Sequence, residues 1–162
     1  MNNEVLNAGA DPMGAAIYDY HFNGDADTLI VHSSMFEDDE IPVPDLFRKF
    51  EDMPDLEQIA LEEARGRILD VGAGSGCHSL ALKRMGKEAV AIDISGLSVE
   101  VMKHRGVDAR QVNLYDEAFS DRFDTVLMLM NGTGIIGTLD NMPAFFTRIR
   151  QLLSPGGSLI ID

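Results

Sequence analysis

The residues best suited to chemistry lie between Leu69 and Gly76, in the run LDVGAGSG. Glycines at 72, 74 and 76 allow positive φ and leave no Cβ in the way, so a ligand can lie against the backbone. The run joins a short apolar stretch, RILDV, to a helix-forming one, CHSLALKR. Free N–H groups at the start of that helix suit a carboxylate or another anion. Dinucleotide-binding folds share such glycine spacing, so the glycines alone do not choose the ligand. Three neighbours narrow the choice. Asp70 stands two residues before the first glycine, where its carboxylate is expected at the mouth of the turn, repelling a diphosphate and attracting a cation. Asp93 ends the next apolar run, EAVAID, 21 residues after Gly72, in position to accept hydrogen bonds from a ribose. Cys77 occupies the place where a dinucleotide fingerprint needs its last glycine.

The elements that must position these residues follow a strand–helix alternation from Arg67 onward. RILDV, EAVAID, DARQV, FDTVLMLM and SLIID read as its strands, with RILDV and FDTVLMLM apolar. Helical patterns lie between them, stopped by Gly86 and Gly106 and started by Ser95 or Ser98 and by Asp140 or Asn141. FDTVLMLM is apolar along its length, as a parallel strand covered on both faces should be. Right-handed crossovers then give an α/β fold, a doubly wound, Rossmann-like parallel sheet of about five strands with helices on both faces. Residues 64–162 form this domain. Residues 1–63 read as an acidic, partly helical N-terminal arm with cap helices. A short helix is expected near Met13–Tyr20, a second begun by Asp45 and carrying Leu46, Phe47 and Phe50, and a third after Pro54 with Leu56, Ile59, Ala60 and Ala64 on one face.

A chain of 162 residues is one ordinary domain. The arm holds 16 acidic residues against Arg48 and Lys49, whereas residues 64–162 balance 11 against 11. The whole net charge of −14 therefore sits ahead of the glycine loop. Such a field disfavours nucleic acid and would steer a cationic acceptor; a solvated acidic surface accounts for it as well. A single cysteine forms no internal disulfide, and a reducing, cytoplasmic setting is expected. No secretory signal or membrane span is read from the sequence.

Taken together, ILDVGAGSG, VAIDIS, FDTVLMLMNG and LLSPGGSLIID resemble the class I methyltransferases that use S-adenosyl-L-methionine (SAM), over about Arg67 to Asp162. The resemblance implies that Asp70, Gly72, Ala73, Gly74 and Gly76 hold the methionine end of SAM. It implies that Asp93 binds the ribose and that Ile94 lies beside the adenine. Asn113, with Asp116 as the other candidate, takes the place of the residue that meets the adenine amino group. Leu114 offers its backbone N–H to the ring, and Met130 and Asn131 stand nearest the transferring methyl group. Family members carry seven strands, the last two an antiparallel hairpin. This chain stops at Asp162, so a fragment is expected, with its fifth strand an edge open to pairing with another chain or a second copy.

The function expected is methyl transfer to a small-molecule acceptor by in-line displacement, in which positioning carries much of the rate. The stretch NGTG lacks the NPPY-type motif of methyltransferases acting on the amino groups of adenine or glutamine. A non-catalytic SAM-binding or interaction module and an NAD-binding oxidoreductase are the alternatives. No catalytic base and no metal ligands are identified. Tyr18, Tyr20 and His21 are candidates to close over the ligand or meet the acceptor, and packing of the arm explains them equally. His78 is a candidate for ligand contact, and Cys77 reads as a small buried apolar residue.

Overall fold

The structure, a computed structural model, describes residues 4–25, 27–34 and 36–162. The arm opens with helix α1, Pro12–Asn23. Asp11 caps it by accepting from Gly14 N, Pro12 fills the first turn where no N–H is needed, and Gly24 ends it in the left-handed conformation. An antiparallel ribbon follows, β1 (Thr28–Val31) paired with β2 (Asp39–Pro42), in the register Leu29 to Ile41. The sequence reading has no strand here, because charge and exposure leave only that one apolar pair to mark it.

Two 3-10 turns, Val43–Phe47 and Phe50–Asp52, replace the helix expected after Asp45. Pro44 is tolerated only in a first turn, and Arg48 returns to extended backbone, so no longer helix can grow. Helix α2, Asp55–Glu63, forms as expected but turns differently. Glu57, Ala60, Leu61 and Ala64 are buried, while Leu56 and Ile59 are 78% and 54% exposed. The ion pair of Glu57, described below, and the packing of Ala60, Leu61 and Ala64 against Ile68 and Leu82 select that face.

Beyond α2 the alternation is as read: β3 (Arg67–Val71), α3 (Cys77–Arg84), β4 (Glu88–Asp93), α4 (Gly96–His104), β5 (Ala109–Gln111), β6 (Phe123–Met128), α5 (Met142–Leu152) and β7 (Leu153–Ile161). The five strands pair in parallel in the order β5-β4-β3-β6-β7. Leu69, Val71, Val90, Ile92, Val126 and Met128 face Phe145, Ile149 and Leu152 of α5. On the other face Ile68 and Leu127 meet α2 and α3, and Ala91 and Ala109 meet α4. Helices thus cover both faces, which is why the second half of β6, from Val126 to Met128, is wholly apolar and buried. Thr125, just before it, is satisfied by Arg65, accepting from its N–H and donating to its carbonyl. Strand order reverses between β3 and β6, so the loops leaving their carboxyl ends diverge and open a crevice. Among the described residues no helix is long and apolar enough to cross a membrane.

Candidate functional site

The crevice is built from the loops after β3, β4, β5 and β6. Gly72, Gly74 and Gly76 have φ of +68°, +53° and +79°. The turn at Gly74 aims its N–H at Asp93 Oδ2, 2.8 Å away. Asp93 Oδ1 accepts from Ser95 N at 2.9 Å, so two backbone donors fix the carboxylate at the end of β4. Burial pushes the Asp93 pKa up; the two N–H bonds oppose that, and the nearby carboxylates of Asp11 and Asp70 add to it.

Two cavities meet at Gly72 and Asp93. The first, about 320 Å³, is walled by Ile92, Ile94, Val112, Leu114 and Ile135, with Asn113 and Tyr115 at its edge. The second, about 430 Å³, runs over Ala73 and Gly74 to Met130 and Asn131, and the arm closes it with Leu6, Asp11, Met13, Ile17, Ile41 and Leu46. Among the described residues no lysine or arginine lines either one. Met130 and Asn131 are both left-handed, with φ of +61° and +63°, a conformation that costs on the order of 1–3 kcal/mol per non-glycine residue and clusters at functional sites. Asp162 holds the strained turn: its carboxylate accepts from Met130 N at 2.9 Å and from Gly132 N at 3.0 Å.

Of the residues singled out in the sequence, the structure brings Gly72, Ala73, Gly74, Asp93, Ile94, Asn113, Leu114, Met130 and Asn131 to these cavities. Gly76 lies one step back and starts α3. Asp70 departs from the expectation. It is 1% exposed, beneath the loop rather than at its mouth, and accepts from Ser79 Oγ at 2.6 Å. Strand alternation is the cause: Leu69 and Val71 face the α5 layer, so Asp70 points under α3. Burial there pushes its pKa up. The carboxylates that border the cavity are Asp93 and Asp11. Asn113 uses Oδ1 to accept from Tyr115 N and Nδ2 to donate to the Glu4 carbonyl, which ties the arm to the loop after β5. Asp116 lies outside both linings and caps its own turn at Ala118 N.

Tyr18, Tyr20 and His21 also lie outside the linings. Helix α1 runs alongside α4 from Ser95 to His104, so only its first turns border the cavity. Farther along, Tyr20 packs on Phe47 and His21 Nε2 meets His104 Nδ1 at 2.8 Å. Cys77 borders the second cavity, but burial pushes its thiol up to about 11, leaving it a protonated, small apolar group. His78 reaches the same cavity and hydrogen-bonds Glu57 at 2.9 Å. Glu57 in turn takes both oxygens to Arg48 Nη2 at 2.6 Å. Burial raises the Glu57 pKa, yet the hydrogen bonds and charges of His78 and Arg48 outweigh it and hold the carboxyl below its ordinary value. This network fastens the 3-10 turn and α2 to the start of α3. Neither it nor Asp11 emerged from the sequence reading; the signal available was Asp-Pro at 11–12, a helix start.

Residues 69–161 match the family described as a methyltransferase domain. A crystal structure of a SAM-dependent methyltransferase from Bacteroides fragilis, in complex with S-adenosyl-L-homocysteine, is 63% identical with a TM-score of 0.93. The likeness covers 98% of this chain and 67% of that one. The cypemycin N-terminal methyltransferase of Streptomyces sp is 31% identical over 99 residues, 59% of this chain and 40% of the relative. A ubiquinone biosynthesis O-methyltransferase of Bradyrhizobium sp. (strain ORS 278) is 27% identical over 102 residues, 59% of this chain and 39% of the relative. The chain thus spans about 40% of the length of these curated relatives.

The cavities suit SAM on their own chemistry. An apolar chamber of purine size lies on one side of a fixed carboxylate, and a chamber bordered by two carboxylates, with no lysine or arginine among the described residues that line it, lies on the other. That charge favours a sulfonium and an ammonium over the diphosphate of a dinucleotide. Motifs, sheet order, crevice and relatives agree, and the chain belongs to the class I SAM-dependent methyltransferases.

Proposed function

We propose that this protein transfers a methyl group from SAM to a small-molecule acceptor, and that the two cavities divide the donor between them. In this reading Asp93 accepts from the ribose hydroxyls, Ile92, Ile94 and Val112 sandwich the adenine, and Asn113 and the Leu114 N–H meet its edge. The backbone of Gly72–Gly76 and the start of α3 take the methionine end, and Met130 and Asn131 border the reacting centre. When bound, SAM supplies an electrophilic methyl group on a good leaving group. The protein's work is then to align donor and acceptor and keep water from the space between them. The observation that carries this reading is Asp93, locked by two backbone donors at the junction of an apolar and an acidic cavity.

An amine or other cationic acceptor fits best. A third opening, about 630 Å³, adjoins the donor cavity at Ile41 and Met130 and carries Glu40, Asp45 and Asp52 on its rim. Among the described residues these three have no cationic partner, since Arg48 in the same wall is committed to Glu57. The net charge of −14 carried by the arm acts in the same direction at longer range. Calorimetry with SAM and NADH tests the donor; binding of NADH in preference to SAM sinks it. A panel of amine and carboxylate acceptors, scored by S-adenosylhomocysteine formed over a salt series, tests the acceptor class. Amines should turn over faster at low salt, and indifference to both charge and salt removes the steering role of the arm.

A further inference from the structure

Among the arm residues that line the donor cavity is one buried carboxylate. Asp11 is 3% exposed. Its Oδ1 accepts from Gly14 N at 2.8 Å, and its Oδ2 accepts the hydroxyl of Ser95 at 2.5 Å. Ser95 accepts from Ser98 N to cap α4, and its own N–H goes to Asp93 Oδ1. A single serine therefore links a carboxylate of the arm to the carboxylate that holds Gly74. The contact is close-built. A Cβ at Gly14 would lie 2.2 Å from Asp11 Oδ2 and 2.3 Å from Ser95 Oγ, so only glycine lets α1 approach this turn. Leu6 continues the docking by donating its N–H to the Ile94 carbonyl at 3.0 Å.

The electrostatics of this arrangement are incomplete without a ligand. Asp11 and Asp93 border the same cavity, their hydrogen-bond donors are neutral, and among the described residues no lysine or arginine lines the space, while its imidazole, His78, is engaged by Glu57. Buried carboxylates of this kind are costly unless a positive charge joins them. The sheet domain alone would place one carboxylate there; docking the arm adds the second.

We propose that Asp11 is a charge-sensing positioning residue, which through Ser95 and Asp93 docks the arm more tightly over a sulfonium donor than over the neutral thioether product. The inference rests on the reading that this cavity holds SAM. In methyl transfer the C–S bond breaks, its electron pair stays on sulfur, and the methyl carbon bonds to the acceptor's nitrogen or oxygen. With an amine acceptor the positive charge passes to nitrogen and leaves as a proton to water. The donor site thereby loses one of its two positive charges, the Asp11–Asp93 pair keeps only the ammonium as a counter-charge, and the arm loosens to release product.

The test is calorimetry with three ligands: SAM, sinefungin, which carries an ammonium where SAM carries its sulfonium, and S-adenosylhomocysteine, which is neutral there. Asp11→Asn keeps the shape of the cap and an oxygen for Gly14 N. It should weaken SAM and sinefungin at least about tenfold and S-adenosylhomocysteine less than about threefold. Equal losses for all three, or no loss for any, overturn the inference and leave Asp11 a helix cap. Hydrogen exchange of residues 12–23 gives an independent check on the unaltered chain. Protection should be greater with SAM than with S-adenosylhomocysteine, and equal protection overturns the inference. A wild-type chain that binds none of the three ligands overturns the donor-site reading itself, and this inference with it.

Discussion

The two cavities that meet at Asp93 are held open by different means. The first is made wholly by the ends of strands and their loops, from Val71 to Ile135, and its apolar walls continue into the core around Phe123, Phe145 and Leu152. Its shape is fixed by the sheet register and the same burial that folds the domain. The second takes about a third of its lining from the arm, and of the arm residues that line it only Ile17 and Leu46 are buried apolar side chains. Its shape is set instead by polar fastenings: Asp11 on Ser95, the Ser75 hydroxyl on the Leu46 carbonyl, and Glu57 between Arg48 and His78. Segments held this way open at lower free energy than a sheet core. One end of the donor is thus expected to meet a preformed chamber, the other a chamber completed by docking.

The largest test of that contrast removes a fastening. Glu57→Ala leaves the Arg48 guanidinium, in a pair whose side chains are 11% and 10% exposed, without its counter-ion. Breaking a buried pair from one side costs about 3–5 kcal/mol. Denaturant unfolding should show a loss of that order, and hydrogen exchange should place the new opening in residues 43–63 rather than in β3–β7. A loss spread evenly over both regions breaks the contrast.

Removing the shared carboxylate comes next. Asp93→Asn should weaken SAM by roughly 10–100-fold, the worth of about 1.5–3 kcal/mol for hydrogen bonds to a charged group. It should also raise the melting temperature of the ligand-free chain at pH 7, since burial works against the charged form at this position. Such a trade of stability for function is expected where a site stores an unfavourable charge. A melting temperature that falls would mean that the bonds from Gly74 N and Ser95 N outweigh burial.

A milder change acts on the preformed chamber alone. Val112→Phe puts a ring into the 320 Å³ cavity, where it competes with a purine. SAM, sinefungin and S-adenosylhomocysteine should weaken together, by about tenfold, about 1.4 kcal/mol each. A loss confined to the cationic ligands would mean that the chamber beside Val112 is not the adenine side.

These contrasts also explain what could be read in the sequence. The sheet was legible because most of its strands are short apolar runs followed by a glycine or a capping residue, whereas β5, Ala-Arg-Gln, was legible only from its place in the alternation. Gly72, Gly74 and Asp93 were legible because their place in the crevice depends on local spacing. Asp70 shows the limit of spacing: two residues before the glycines in sequence, its side chain emerges on the other side of the strand. Leu56 and Ile59 were misread because apolar spacing marks a buried face only when nothing else competes, and here the ion pair of Glu57 decides the face. Asp11, Ile17, Ile41 and Leu46 lie 25 or more residues ahead of the glycine loop that they cover. No periodicity links them to it, and only the folded chain joins them.

The smallest effect separates the two regions by sign. His21, on the arm, has its pKa lowered by burial first and then by His104 and Arg105. The unfolded arm therefore binds protons more readily than the docked one, and docking weakens as pH falls through the ordinary histidine range near 6.5. Asp70 and Asp93, in the sheet domain, have pKa values raised chiefly by burial. The folded domain then holds protons that the unfolded chain has released, so these two groups add stability as pH falls through their raised values. Glu57, held below 4.5, keeps its contribution until the pH drops below that value. Between pH 7.5 and 5.5 the arm should loosen while β3–β7 does not. His21 is only partly buried at the surface of the arm, so the change belongs with surface charge effects, below about 1 kcal/mol. Hydrogen exchange corrected for intrinsic rates, read over residues 12–23 and over β3 and β6, would resolve it. Parallel loosening of both regions would show that arm and sheet open as one unit, and the distinction between a preformed and an assembled chamber would fall.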